Sequence, residues 1–306
     1  MVASAAPQPM SQGYFAIPLS GLAAQDALTF PLYLRTAEQA WVLYRPATAK
    51  LDASQVGRLQ AEGIAQLFIR NADRGLYFSR VGDALDEILL ERGVPLEARV
   101  DVLQGIATQM AESLLAAPPD RAGIAKARKV MIATSGLMLR ENGGFSAMRR
   151  MMSGSKELAH HSLTVGFLCM GLARNMLGAD SNALMTAGLA GLLHDVGKIG
   201  HESTGSDPEH VMRGADYLQG LGLPEPVVEA ARLHHERWDG SGFPYGLSGV
   251  QVPEVARVVA VVNTFDKVYS GQRPRVGVFD ALRILAQAYR GCFEPKLAAG
   301  LISLFR

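Results

Sequence analysis

The chain has 306 residues, 48% of them hydrophobic and 19% charged, and a formal net charge of +1. Such a composition suits a well-packed soluble protein of one or two domains and excludes general disorder. A near-neutral balance without a Lys/Arg run argues against a nucleic-acid polymer as partner, while leaving a small nucleotide open.

The opening "MVASAAPQPMSQG" lacks the basic start and continuous apolar core of a signal peptide, and residues 1–13 read as a frayed tail. No apolar stretch approaches the roughly 18 residues that a membrane-spanning helix needs. Cys169 and Cys292 are too few and too far apart for a disulfide framework or a Cys-based zinc site. They read as reduced thiols, which places the chain in the cytoplasm.

Next come β-formers broken by turn residues: "YFAIPLSGL", "LTFPLYL" and "AWVLYRPA". "DASQVGRLQAEG" predicts a short helix with Asp52 as N-cap and a closing Gly, and "IAQLFIRN" returns to strand. Residues 14–80 are thus expected to form a small α+β domain, ending near Tyr77, with no cluster that suggests chemistry. Residues 81–145 predict a helical connector, with Leu89, Leu90, Val102, Leu103, Met110 and Leu114 as packing positions. This connector is also expected to pair between subunits, as in a homodimer.

Residues 146–306 are expected to be almost wholly helical. "SNALMTAGLAGLLHDVGK" follows an Asp180/Ser181 cap. "DPEHVMRGADYLQG" predicts a helix with a cap, then Pro at its first position, and a closing Gly. "VPEVARVVAVVNTFDKVYS" opens another at Pro253.

All seven histidines lie within this part: His160, His161, His194, His201, His210, His234 and His235. Scattered core or surface histidines rarely segregate so tightly. His194 is followed by Asp195, and Glu157 stands four residues before His161, one helical turn away. His234 and His235, continued as a helix, would point about 100° apart. That geometry suits two metals side by side better than one shared ion. Imidazole with carboxylate and no nearby thiolate pair suits iron, manganese, zinc or nickel. Lys198 follows Asp195 by three residues, placed to set a point charge on a phosphate oxygen. The alternative for Lys198 is a solvated lysine at a helix end.

"HDVGK" together with "HHERWDGSGFP" resembles the HD-GYP family of the HD phosphohydrolase superfamily, over about residues 146–306. The resemblance implies an all-α bacterial phosphodiesterase domain acting on cyclic di-GMP, with two or three divalent metals, iron or manganese. It implies His161, His194, Asp195, His210, His234 and His235 as metal ligands, Asp195 bridging. Glu157 falls where some members carry an extra carboxylate for a third metal. Lys198 matches the phosphate-contacting lysine, and Asp195 and Lys198 carry the catalytic roles. Gly242, Phe243 and Pro244 occupy the GYP triplet, with Phe for Tyr. These three and Arg273 are the further substrate contacts. Other signalling proteins are expected to meet the GFP loop or the N-terminal domain.

Four departures stand out. The family pattern "V-x-D-x-F-D-A-L" here reads "VVNTFDKV", which puts the neutral amide of Asn263 at a ligand position. The stretch from Lys198 to His210 is short and lacks a Lys-Pro-Gly segment. "YSGQRPRV" carries one extra residue before Arg273 and lacks the usual Tyr with a basic residue after "RP". The fourth is Phe243. Three readings follow: a metal-dependent cyclic di-GMP phosphodiesterase impaired by Asn263; a degenerate member that binds nucleotide or a partner protein without turnover; and another HD-superfamily phosphohydrolase acting on nucleoside mono- or triphosphates.

Overall fold

The computed structural model describes residues 13–306 except 20–21, 23–27, 37–39, 50, 52, 65, 82–84, 91–93, 142, 150–151, 153–156, 178–179, 202–206 and 272–275. Residues 1–12, Asp52 and Arg273 therefore lie outside the described residues. The chain divides into two compact units, residues 1–109 and 110–306. The division falls inside the stretch expected to be a connector.

In the first unit, strands β1 (Tyr14–Pro18), β2 (Leu32–Arg35) and β3 (Trp41–Arg45) are followed by helix α1 (Ala53–Ala61) and strand β4 (Gln66–Arg70). The four strands form one antiparallel sheet in the order β1-β4-β2-β3. Alternation sends Phe15, Ile17, Leu67 and Ile69 into the core. On the opposite face Tyr14 stacks on Trp41 with centroids 4.3 Å apart, and Phe68 meets Trp41 edge-on. Helices α2 (Arg74–Val81) and α3 (Leu85–Leu90) follow, and α4 (Leu96–Leu115) carries the chain across the division. Leu89, Val102, Leu103 and Leu114 are buried, and Met110 is half-buried. Leu90 is exposed, contrary to the packing expectation. Helix α3 is short, and its inner face is already filled by Leu85, Ile88 and Leu89.

The second unit is helical: α5 (Arg121–Arg140), α6 (Gly144–Met148), α7 (Leu158–Leu177), α8 (Ser181–Leu193), α9 (His210–Gly220), α10 (Glu225–Leu233), α11 (Glu254–Gly271), α12 (Val278–Ala288) and α13 (Pro295–Ser303). Asp180 caps α8 as expected, accepting from the amides of Asn182 at 3.2 Å and Ala183 at 3.1 Å. The start of α9 differs from the sequence expectation. Pro208 and Glu209 form a turn, with Asp207 accepting from the Glu209 amide at 3.2 Å, and the helix begins at His210.

Helices α7 and α8 form the most extensive contact and both meet α11, while α10 packs on α8, α9 and α11. Their backbones come close at Gly166 and Gly191, where a Cβ on Gly191 would stand 2.8 Å from the Gly166 Cα. This close crossing brings the start of α7, with His161, toward the end of α8, with His194. Among the described residues, no helix is long and apolar enough to cross a membrane.

Candidate metal centre

The site assembles around Asp195, in the turn after α8, whose side chain is buried. Its two carboxylate oxygens face different partners. Oδ2 lies 3.3 Å from His194 Nε2 and 3.8 Å from His161 Nε2. Oδ1 lies 3.1 Å from His210 Nε2 and 3.4 Å from His234 Nε2. Two donor groups result, His161–His194–Asp195 and Asp195–His210–His234–His235, with the donor atoms of each within 4.8 Å of one another. Asp195 belongs to both.

The imidazoles are oriented from behind. His194 Nδ1 donates to the Gly191 carbonyl at 2.7 Å and His234 Nδ1 to the Ala231 carbonyl at 2.9 Å. His210 Nδ1 likewise donates to the Asp207 carbonyl. Each acceptor lies three residues earlier, and for His194 and His234 it is a carbonyl at a helix end that has no partner within the helix. His161 Nδ1 instead donates to Asp266 Oδ2 at 2.6 Å. With Nδ1 protonated, all four rings turn a neutral Nε2 toward Asp195, as metal-ligating histidines do.

Electrostatics agree with this. Burial lowers the pKa of His194, outweighing the carboxylate of Asp195 beside it. Burial also pushes His234 down to about 3 and holds His235 far below the ordinary imidazole range. Burial alone would raise the Asp195 carboxyl, but the histidines packed around it, His194 first and then His210 and His234, hold it well below the usual carboxylate range. The resting cluster is therefore one carboxylate among neutral imidazoles.

His161 Nε2, His194 Nε2, Asn263 Oδ1 and Asp266 Oδ1 are buried without a hydrogen-bond partner among the described residues. Buried polar atoms are rarely left so. Convergent lone pairs around a carboxylate fit a divalent cation, and the imidazole–carboxylate donor set suits iron, manganese or zinc.

The expected site residues fall out as follows. His161 comes from α7, His194 and Asp195 from the end of α8, His210 from the start of α9, and His234 and His235 from the end of α10. The paired histidines share one donor group, contrary to the expectation that they serve separate metals. The helix stops at Leu233, so the 100° step does not continue through His235, and the two ring centroids lie 4.3 Å apart. Asn263 is buried on α11. Glu157 is not brought into either donor group; it precedes the first turn of α7, is exposed, and pairs with His160 at 3.1 Å. Lys198 points at Asp195, with Nζ 2.5 Å from Oδ2, rather than into open space. Gly242 and Phe243 line a cavity of about 130 Å³ next to His234 and His235. Phe243 stacks on His235, centroids 4.5 Å apart at 16°, while Pro244 is exposed beside them.

Two residues outside the expected ligand set matter here. Asp266 orients His161. Glu236 is buried and accepts from the amides of Tyr245 at 2.7 Å and Leu247 at 3.0 Å, holding the turn that presents Phe243. Its place within "HHERWDG" is the only signal that pointed to it.

An all-α bundle that gathers imidazoles from four helices around one shared carboxylate defines a metal-binding helical domain of the HD type. Residues 149–297 match the family model described as HD domain. Similar proteins include cyclic di-GMP phosphodiesterase PA4108 of Pseudomonas aeruginosa, 31% identical over 53% of this chain and 43% of that protein. The cyclic di-GMP phosphodiesterase response regulator RpfG of Xanthomonas campestris is 34% identical over 43% of this chain and 39% of its own length. The 3'3'-cGAMP-specific phosphodiesterase 2 of Vibrio cholerae is 32% identical over 48% and 31%. The matched part spans less than half the length of these relatives. The fold of Bd1817, an HDG"Y"P protein from Bdellovibrio bacteriovorus, superposes with a TM-score of 0.67 over 95% of this chain and 99% of that one, at 19% identity. The match over residues 149–297 places an HD domain in the C-terminal half of the chain.

Proposed function

We propose that this protein is a metal-dependent phosphodiesterase of cyclic dinucleotides, with cyclic di-GMP as its substrate. The observation that carries the reading is the division of Asp195: Oδ2 toward His161 and His194, Oδ1 toward His210 and His234. One carboxylate set between two imidazole groups suits a pair of adjacent cations. His161, His194 and Asp195 would hold one; Asp195, His210, His234 and His235 would hold the other, with the Asn263 amide oxygen as a further donor. Bound there, divalent ions supply Lewis acidity toward phosphoryl oxygens and make water nucleophilic near neutral pH.

The chain's own residues do the rest. Neutral imidazoles need no deprotonation before they bind, so the site is ready at pH 7. Lys198 neutralises the outer side of Asp195 and keeps that carboxylate aligned. Phe243 covers His235 and forms one wall of the neighbouring cavity, an apolar surface for a nucleobase. The names of the three relatives support the substrate class; two act on cyclic di-GMP and one on 3'3'-cGAMP. The complete histidine set favours turnover over a binding-only role, and iron or manganese is the metal we infer for it.

The test is a single purified sample, analysed for metal and assayed on cyclic di-GMP and 3'3'-cGAMP. Metal-loaded wild type is expected to cleave cyclic di-GMP, and Asp195→Ala to lose both metal and turnover. A fully loaded protein that cleaves neither nucleotide refutes the proposal.

A further inference from the structure

Helix α11 turns about 100° per residue, so with Asn263 as origin Thr264 stands at about 100°, Asp266 at about 300° and Lys267 at about 40°. Asn263 and Asp266 are buried, Asp266 against His161 of the metal centre, and Thr264 lines the cavity beside His235 and Phe243. Lys267 therefore rises from the helix between the metal centre and the cavity wall. It is exposed, and among the described residues its ammonium makes no salt bridge. Lys198, the other lysine of the site, is already held by Asp195. The family pattern quoted above has Ala where this chain has Lys267.

We propose that Lys267 is a substrate-binding residue, its ammonium neutralising a phosphodiester oxygen of a nucleotide that spans the metal centre and the Phe243 cavity. This rests on the phosphodiesterase reading of the same site. A free cation on a four-carbon stem at the mouth of an anion site suits that task, because it needs reach more than fixed geometry. The electrostatics support the placement. Surrounding protein lowers the Lys267 pKa while the Asp195 and Asp266 charges raise it, and the Lys267 charge in turn depresses His235. A side chain crowded by protein yet reached by water is one standing in a cleft.

The experiment compares full-length wild type, Lys267→Ala and Lys267→Arg, each loaded with metal. Metal content, Kd for inorganic phosphate by calorimetry, and kcat and KM for cyclic di-GMP are read on each. Lys267→Ala is expected to keep its metal, weaken phosphate about tenfold and raise KM by a similar factor. Lys267→Arg, which keeps the charge, should stay within about threefold of wild type. Unchanged phosphate affinity and KM in Lys267→Ala overturn the proposal, as does wild type that binds no phosphate. Loss of metal in Lys267→Ala overturns it too, since the lysine would then act on the ligands. If wild type binds phosphate but cleaves no cyclic dinucleotide, the function proposed above fails alone, and the phosphate titration still decides Lys267.

Discussion

Gly197 meets α9 backbone to backbone: a Cβ placed on it would stand 2.0 Å from the His210 carbonyl oxygen and 2.6 Å from the Gly214 amide nitrogen. The contact is what lets the Asp195 turn and the start of α9 share one site. Arg213 reinforces it, donating from Nε at 3.3 Å and Nη2 at 3.2 Å to the Gly197 carbonyl.

Gly197→Ala should therefore push α9 away from Asp195. Overpacking against side chains costs about 1–3 kcal/mol, and here the obstructing atoms are backbone, which cannot rotate aside. Lower stability in urea and a drop in bound metal at the Asp195–His210 group are expected together. A Gly197→Ala protein with wild-type metal content and midpoint would show that this contact does not position His210.

Glu236→Ala should act on the turn rather than on the metal. Its carboxylate takes the amides of both Tyr245 and Leu247, and Leu247 packs on Leu233, Val252 and Ala256. Leaving a fully buried donor unpaired costs roughly 1–3 kcal/mol, and these two amides are part-buried, so about 1 kcal/mol is expected. The variant should lose stability of that order, exchange the Tyr245 and Leu247 amide hydrogens faster and show a raised KM. Metal content should hold. Unchanged exchange at both amides would contradict the role given to Glu236.

Asn263→Asp adds a buried negative charge one helical turn from Asp266, the partner of His161. The Asn263 Oδ1 is buried without a hydrogen-bond partner, and Asp266 on the same helix is engaged by His161 through Oδ2. The carboxylate should tighten the more weakly held cation about tenfold, or ~1.4 kcal/mol. The measure is a metal titration of both proteins, with turnover followed at each concentration. Superimposable titrations would mean that the amide is no handicap at this position.

Acid should destabilise the metal-free protein well before ordinary carboxylates titrate. Burial depresses His194, His234 and His235, with His234 falling from 6.5 to about 3. A group with a lowered folded pKa leaves the unfolded state binding more protons, so its contribution is present above about pH 6.5 and is lost as pH falls toward the folded value. Each such histidine removes up to about 1.4 kcal/mol per pH unit in that window. The lowered pKa of Asp195 adds a further loss, confined to pH below its unfolded value of 3.8. Urea unfolding of stripped protein at pH 7 and pH 5 should show a lower midpoint at pH 5. Equal midpoints would mean that these imidazoles are not held neutral by burial.

The segregation of every histidine into residues 160–235, and the order of "HDVGK" before "HHERWDGSGFP", pointed from the sequence alone to the helical half, to an imidazole–carboxylate donor set and to an HD-type domain. Those features are local: a motif is a string of neighbours, and helical periodicity needs only a few turns of chain. The assembly of the site is not local. Glu157 and His161 share a helical spacing, yet only His161 enters a donor group, because α7 begins between them. His234 and His235 converge because α10 ends at Leu233, which a count of 100° per residue cannot foresee. The partners that orient His161 and the Phe243 turn depend on the packing of whole helices and on where buried amides find acceptors. Asp266 acts across 105 residues of sequence, and Glu236 across a turn closed on itself. Only the folded chain brings such groups within hydrogen-bond reach, since burial in three dimensions, not sequence spacing, decides which polar atoms must find one another.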